Sequence, residues 1–155
     1  MRGFLLNMGK EKIYNYCVST LLEKLKGYEK RKQELSAALN SESKSSAGDK
    51  HETGRAMIQL EREKLGVQLA KTESNYRKIL TLKNNHSLVI VGIGSLVITN
   101  KANYYIAISL GVCKFGDESC YCISPESPIG ILLLGKKLGE IIDFNNDIST
   151  ILRII

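Results

Sequence analysis

Two long, charged segments with a helical repeat of apolar residues constrain the fold more than any other feature of the chain. The first segment, residues 10–40, has apolar residues at steps of three, four or seven: Ile13, Cys17, Leu21, Leu25, Tyr28, Leu35 and Leu39. This spacing is typical of one helix face and not of a strand. A looser repeat runs from residue 52 to residue 82, with members that include Ala56, Met57, Leu60, Val67, Ala70, Tyr76, Ile79 and Leu80. Each stripe is too narrow to be buried alone, so the sequence predicts an antiparallel helical hairpin.

The segment between the two helices, residues 40–48, is rich in serine and ends in a glycine. Both residue types disfavour a continuous helix, so the chain is predicted to reverse direction here. Helices of roughly 32 residues, at about 1.5 Å per residue, form a rod about 48 Å long. Such a rod extends well beyond a small globular domain.

Two acidic residues, Asp49 and Glu52, follow this turn directly and are three residues apart. One interpretation is structural, with Asp49 as the N-cap and Glu52 completing a capping-box variant, worth about 1 kcal/mol to the helix. The other interpretation is functional, because acids at the end of a narrow hairpin could carry negative charge to a cation in a partner. His51, between them, is expected to be a solvated residue. The spacing alone leaves both interpretations open.

Charge and composition change near residue 83. Residues 1–83 hold 17 basic and 10 acidic residues, whereas residues 84–155 hold 5 basic and 6 acidic residues. The first range is rich in Lys, Glu, Leu and Ala, and the second in Ile, Val, Leu and Gly. The sequence therefore predicts two domains, 1–83 and 84–155. The basic first domain favours a nucleic acid or anionic protein partner, with a solvated coiled coil as the alternative.

The second domain has the pattern of a small antiparallel sheet. Stretches rich in β-branched and aromatic residues predict strands at 96–99, 104–109, 120–124, 140–144 and 148–154. Turns are predicted at 100–103 and 145–147, and Pro128 predicts the start of a short helix that ends near residue 136. The predicted fold class is α+β, with the helical hairpin followed by this sheet and its one short helix.

The cysteines carry weak functional signals. Cys113, Cys120 and Cys122 are separated by six residues and then one, which is poor spacing for a zinc finger and leaves buried thiols as the alternative. A catalytic Cys–His pair lacks an evident third group. No apolar segment is long enough for a signal peptide or a membrane span, so we expect a cytoplasmic protein with reduced thiols. Translation could start at Met1 or Met8.

Two segments resemble the Gre family of bacterial transcript-cleavage factors. Residues 47–52, Ala-Gly-Asp-Lys-His-Glu, resemble the family's Gly-Asp-x-x-Glu tip at the turn of its coiled coil. Residues 127–140, Ser-Pro-Ile-Gly-Ile-Leu-Leu-Leu-Gly-Lys-Lys-Leu-Gly-Glu, resemble its Ser-Pro-Ile-(Ala/Gly)-x-x-Leu-(Leu/Ile)-Gly-Lys-x-x-Gly-(Asp/Glu) segment. The resemblance is clearest over residues 47–144. It implies an antiparallel coiled coil with an acidic tip, followed by an FKBP-like domain.

The resemblance implies a transcription elongation factor that stimulates the cleavage activity of RNA polymerase and is not itself an enzyme. The second domain would dock at the polymerase secondary channel through Glu126, Ser127 and Pro128. The hairpin would bring Asp49 and Glu52 to the polymerase active site, where they would help to hold a Mg²⁺ ion for cleavage of backtracked RNA. This Mg²⁺ would be shared with the polymerase and not bound tightly by the chain alone. Basic residues expected near the RNA 3′ end are Arg55, Arg62 and Lys64.

The tip departs from the family pattern. His51 replaces a Ser, Thr53 replaces an Asn, and Lys50 adds a positive charge between the acids. A second function therefore stays open, in which the chain occupies the channel and regulates or inhibits RNA polymerase without cleavage. A stand-alone enzyme, such as a prolyl isomerase or a thiol-dependent acyl transferase, is a third alternative, with few aromatic residues for a proline pocket. Weak contact with DNA or RNA is also expected, and a membrane is not.

Overall fold

A computed structural model describes residues 2–43, 48–84 and 89–155, with side chains for 9–41, 52–84 and 89–155. The described elements are α1 (Arg2–Ser43), α2 (Gly48–Leu80), β1 (Leu96–Thr99), β2 (Asn103–Ile106), β3 (Gly111–Phe115), β4 (Glu118–Ile123), α3 (Pro128–Leu133), β5 (Ile141–Phe144) and β6 (Asp147–Ile154). The predicted α+β class is confirmed. Within these ranges no helix is both long enough and apolar enough to span a membrane.

Residues Ser19–Arg77 form one compact unit, which contains most of α1 and α2. Within it the helices run antiparallel, because Arg31, twelve residues before the end of α1, pairs with Glu61, thirteen residues after the start of α2. The Arg31 Nη2 to Glu61 Oε1 distance is 2.5 Å, and Arg31 also pairs with Glu34 at 3.2 Å. The predicted turn at 40–48 begins too early, since α1 continues to Ser43, and residues 44–47 lie outside the described residues.

The predicted apolar stripe on α1 is buried at its principal positions, whereas Ile79 is the one buried member of the stripe predicted on α2. The buried positions of α2 follow a heptad, Leu65, Thr72 and Ile79. A narrow contact between two helices buries few positions per heptad, so apolar residues elsewhere stay on the surface. The predicted members that are more than half exposed are Met57, Leu60 and Val67. Thr72 satisfies its hydroxyl by donating to the carbonyl of Gln68 at 2.8 Å.

The other compact unit combines Met1–Val18 with Lys78–Ile155. The two compact units therefore divide the helices themselves. Ile13 and Cys17 of α1 and Ile79 of α2 are all fully buried in this unit. Near its start α1 is interrupted at Gly9, whose φ of 57° and ψ of −168° suit glycine alone among common residues.

The sheet order is β3-β4-β2-β1-β6-β5. All neighbours are antiparallel except β2 and β4, so the prediction of an antiparallel sheet is wrong for this one pair. Across it, Tyr104 and Tyr121 are register partners whose rings stack with centroids 5.8 Å apart. β1 is observed at the predicted residues. The predicted strand 104–109 ends at Ile106, and β3 was not predicted.

The short helix α3 closes one face of the sheet. It ends at Leu133 and not near residue 136, because Leu134 leaves the helix and Gly135 adopts a left-handed φ of 83°. Leu133 is fully buried and joins an apolar core contributed by the segment before β1 and by strands β1, β2, β5 and β6. The buried members of this core are Val91, Val97, Ile106, Leu133, Ile142 and Ile151.

Candidate functional site

The acidic pair lies at the beginning of α2. Because α2 begins at Gly48, Asp49 and Glu52 are its second and fifth residues. Residues three apart on a helix share a face, and Glu52 is exposed. The side chains of Asp49, Lys50 and His51 lie outside the described side chains.

The three basic residues predicted near RNA do not form one surface. Arg55 is three residues after Glu52, and Arg62 is seven residues after Arg55, so these two follow the acidic face along α2. Lys64 is two residues after Arg62 and therefore lies on a different face of the helix. Arg55 and Lys64 are exposed, whereas Arg62 is half-buried beside Leu65. Arg55 is thus the basic residue best placed beside the acids.

The segment predicted to contact a partner has a clear structural role. Ser127 is the N-cap of α3, and its Oγ accepts a hydrogen bond from the Gly130 N–H at 3.1 Å. The same hydroxyl donates to the carbonyl of Ser124 at 2.7 Å, and Pro128 occupies the first helical turn. These bonds engage the hydroxyl of Ser127 inside the fold. Glu126 and Pro128, by contrast, are exposed and accessible to a partner.

Three glycines of segment 127–140 are also required by the local backbone and packing. A Cβ at Gly130 would clash with the carbonyl of Ser124 and lie 2.8 Å from Ser127 Oγ. Gly135 and Gly139 have φ of 83° and 86°, and the Gly135 N–H bonds the carbonyl of Val91 at 2.9 Å. Part of the family-like pattern therefore reflects the packing of α3. Sequence reasoning missed that the segment also exposes apolar side chains, Ile131 and Leu138, which suit an interface.

Four buried thiols meet in the unit formed by Met1–Val18 and Lys78–Ile155, which we call the sheet unit. Cys17, which the sequence placed only on a helix stripe, has its Sγ 3.7 Å from the Sγ of Cys122. Cys113 and Cys120 are register partners on β3 and β4. All four are at most 2% exposed and none is in a disulfide. No spacing signal could have joined Cys17 to Cys122, because the packing of α1 brings together residues 105 positions apart.

Among the described residues, no group of three or more His, Cys, Asp or Glu side chains is arranged to hold a metal ion. Neither the family models nor the curated proteins searched contain a match to this chain. A function therefore has to be inferred from the residues and their geometry. The features that bear on the function are the two acids near the start of α2 and the exposed residues around α3.

The buried thiols predict a loss of stability at alkaline pH. Burial raises the pKa of Cys113 to about 12, and burial also raises the pKa values of Cys120 and Tyr105. Above about pH 9 the unfolded chain releases thiol protons that the folded chain keeps, so the free energy of unfolding falls as pH rises toward 12. Urea denaturation between pH 7 and pH 11 measures this fall. In Cys113→Ala it should be shallower, and a slope equal to that of the unmodified chain would contradict the prediction.

Proposed function

We propose that this chain is a Gre-like transcription elongation factor. It binds bacterial RNA polymerase at the secondary channel, and its acidic pair supports Mg²⁺-dependent cleavage of backtracked RNA. The observation that carries the proposal is the placement of Asp49 and Glu52 among the first five residues of α2, where the antiparallel hairpin reverses. The resemblance of residues 47–52 and 127–140 to the family supports the same function.

The hairpin has the dimensions that delivery of carboxylates requires. From Gly48 to Arg77, the end of its compact unit, α2 contains 30 residues. At about 1.5 Å per residue this distance is roughly 45 Å, while a helix with its side chains is only about 10–12 Å wide. A pair of such helices can enter a narrow channel and present the acids at its inner end.

The chemistry of the acidic pair suits a shared magnesium site. Mg²⁺ prefers carboxylate oxygens, needs only one or two of them from a protein, and keeps several waters. Asp49 and Glu52 provide two carboxylates on one helix face, and the polymerase would provide the other ligands. When bound, the ion would stabilise the attacking and leaving oxygens of the hydrolysis. The chain's own part is to position the carboxylates, with Arg55 available for an RNA phosphate.

A non-cleaving regulator or inhibitor is the second candidate, and Lys50 is the residue that favours it. An ammonium between the two acids lowers the net negative charge of the tip from two to one. His51 and Thr53 further change the family pattern beside the acids. In this alternative the hairpin still occupies the channel, but the tip holds the ion too weakly to support cleavage.

Binding to RNA polymerase tests both candidates together. We expect the full chain to bind core RNA polymerase from the matching bacterium in a biosensor assay. Glu126→Lys should weaken binding about tenfold, because reversing a charge at an interface rim slows association and removes a favourable contact. Asp117→Lys is the matched control, since Asp117 is exposed in the β3–β4 turn and should change affinity less than twofold. Absence of binding by the unmodified chain would reject both candidates, and equal weakening by the two variants would reject the docking role of Glu126.

A further inference from the structure

A cavity in the unit formed by Met1–Val18 and Lys78–Ile155 has a volume of about 310 Å³. Small-molecule sites in proteins occupy roughly 300–1,000 Å³, so this volume suffices for a small metabolite. Its walls come from the first turns of α1 after Gly9, from the segment after α2, and from β2. Every wall belongs to the same compact unit. The cavity is separate from the acidic pair and from segment 126–140, and neither proposed role uses it.

The wall of the cavity includes a lysine whose ammonium group is buried. Lys10 lines the cavity, and its Nζ is fully buried without a hydrogen-bond partner in the described part of the chain. A buried charge costs several kcal/mol unless it is paired, and native proteins pair such groups with an opposite charge. Burial also lowers the pKa of Lys10. The ligand that would satisfy this group is an anion.

The other residues that line the cavity indicate which class of anion it would bind. Lys83 is exposed at the rim and supplies a second ammonium group, while Asn15 and Asn84 supply amide donors. Two ammonium groups match the two charges of a phosphate monoester better than the single charge of a carboxylate. Lysine acts as a compact point charge in phosphate binding, whereas bidentate carboxylate binding favours arginine.

Two further features indicate that the phosphate belongs to an organic molecule. Tyr105, which is 1% exposed, and Leu82 form an apolar part of the wall that inorganic phosphate would not use. Glu11 lies exposed at the rim, where its carboxylate would repel a phosphate but can accept hydrogen bonds from hydroxyl groups. The carrier of the phosphate therefore has hydroxyl groups at the end that faces the rim.

We propose that this cavity binds a small organic phosphate, a sugar phosphate or nucleoside monophosphate. Its phosphate group pairs with Lys10 and with Lys83. Glu11 accepts hydrogen bonds from the ligand's hydroxyl groups. The site is independent of the proposed polymerase docking, because its lining residues do not include the docking residues Glu126, Ser127 and Pro128.

Calorimetric titration of the full chain tests the site with defined probes. Ribose 5-phosphate and adenosine 5′-monophosphate are the organic phosphates, and inorganic phosphate, ribose and adenosine are the comparison probes. We expect saturable binding of at least one organic phosphate, at least tenfold tighter than inorganic phosphate. Ribose or adenosine binding as tightly as its phosphate, or inorganic phosphate binding as tightly as both organic phosphates, would overturn the proposal. So would the absence of saturable binding by every phosphate probe.

Substitutions locate the bound phosphate. Lys10→Met removes the ammonium and keeps an unbranched side chain one atom shorter, so affinity should fall at least tenfold. Lys114→Met is the matched control, because Lys114 is exposed on β3 outside the cavity and its loss should leave affinity unchanged. Lys83→Gln should weaken binding at least threefold. Because Lys83 is exposed, this substitution should leave the fold intact, so it tests the site even if Lys10→Met unfolds. Equal affinity of Lys83→Gln and the unmodified chain, or equal losses in Lys10→Met and Lys114→Met, would reject the assignment.

Discussion

Replacing both Asp49 and Glu52 by alanine is expected to lower stimulated cleavage of backtracked RNA by a factor of about 10² to 10³, because metal-ion stabilisation of the transition state is worth several kcal/mol. Binding to RNA polymerase should change by less than about twofold, since the proposed docking residues lie on the other compact unit. Each single substitution should have a smaller effect, because Mg²⁺ can be held by one protein carboxylate with water completing its shell.

Stalled, backtracked elongation complexes with 3′-labelled RNA measure this effect through the rate at which short 3′ fragments appear. Glu63→Ala is the matched control, because Glu63 is an exposed acid of α2 eleven residues beyond Glu52. It should retain the full cleavage rate. Polymerase binding without stimulated cleavage by the unmodified chain would support the regulator or inhibitor. Stimulation that is equal in the unmodified chain and the double variant would contradict the role of the acids.

Leu133→Ala is expected to lower the free energy of unfolding of the sheet unit by about 3 kcal/mol, since removing a buried leucine side chain costs about 2–5 kcal/mol. Leu133 is 0% exposed and packs in the core with Val97 and Ile151. The neighbouring residue provides the control, because Leu132 is 36% exposed on the same helix. Leu132→Ala should cost less than about 1 kcal/mol.

Because the chain has two compact units, the measurement has to report the stability of the sheet unit alone. Amide hydrogen exchange in β1 and β6, paired strands that share the core with Leu133, provides this probe because exchange of core amides follows opening of their own unit. Exchange in these strands should accelerate strongly in Leu133→Ala and little in Leu132→Ala. Equal acceleration by the two substitutions would show that α3 does not close the core as described.

The success of the predictions depended on how local each signal was. The strand at 96–99 consists of four apolar or β-branched residues between turn signals, and β1 occupies the same positions. β3 was missed because it begins with a glycine and contains Lys114, a residue type that is common at the edge of a sheet. Met57, Leu60 and Val67 of the stripe predicted on α2 are exposed, because these apolar residues lie off the heptad that contacts a neighbour.

For the candidate site, too, the predictions succeeded where the signal was local. Asp49 and Glu52 could be identified from their spacing after a turn, but their positions as the second and fifth residues of α2 depended on where the helix begins. Ser127 and Pro128 could be placed at a helix start from local rules. The exclusion of Lys64 from the face of Arg55 follows from helix geometry once α2 is known to be continuous.

By itself the sequence determined the two long helices, their reversal near the acidic pair, the α+β class and most of the strands, because these depend on residues a few positions apart. Only the tertiary structure decided the parallel pairing of β2 with β4, the meeting of Cys17 with Cys122, and the cavity that buries Lys10 beside Tyr105. The physical reason is that each of these features joins residues from separate segments of the chain. Their free energy comes from burying distant surfaces together, which no local spacing encodes.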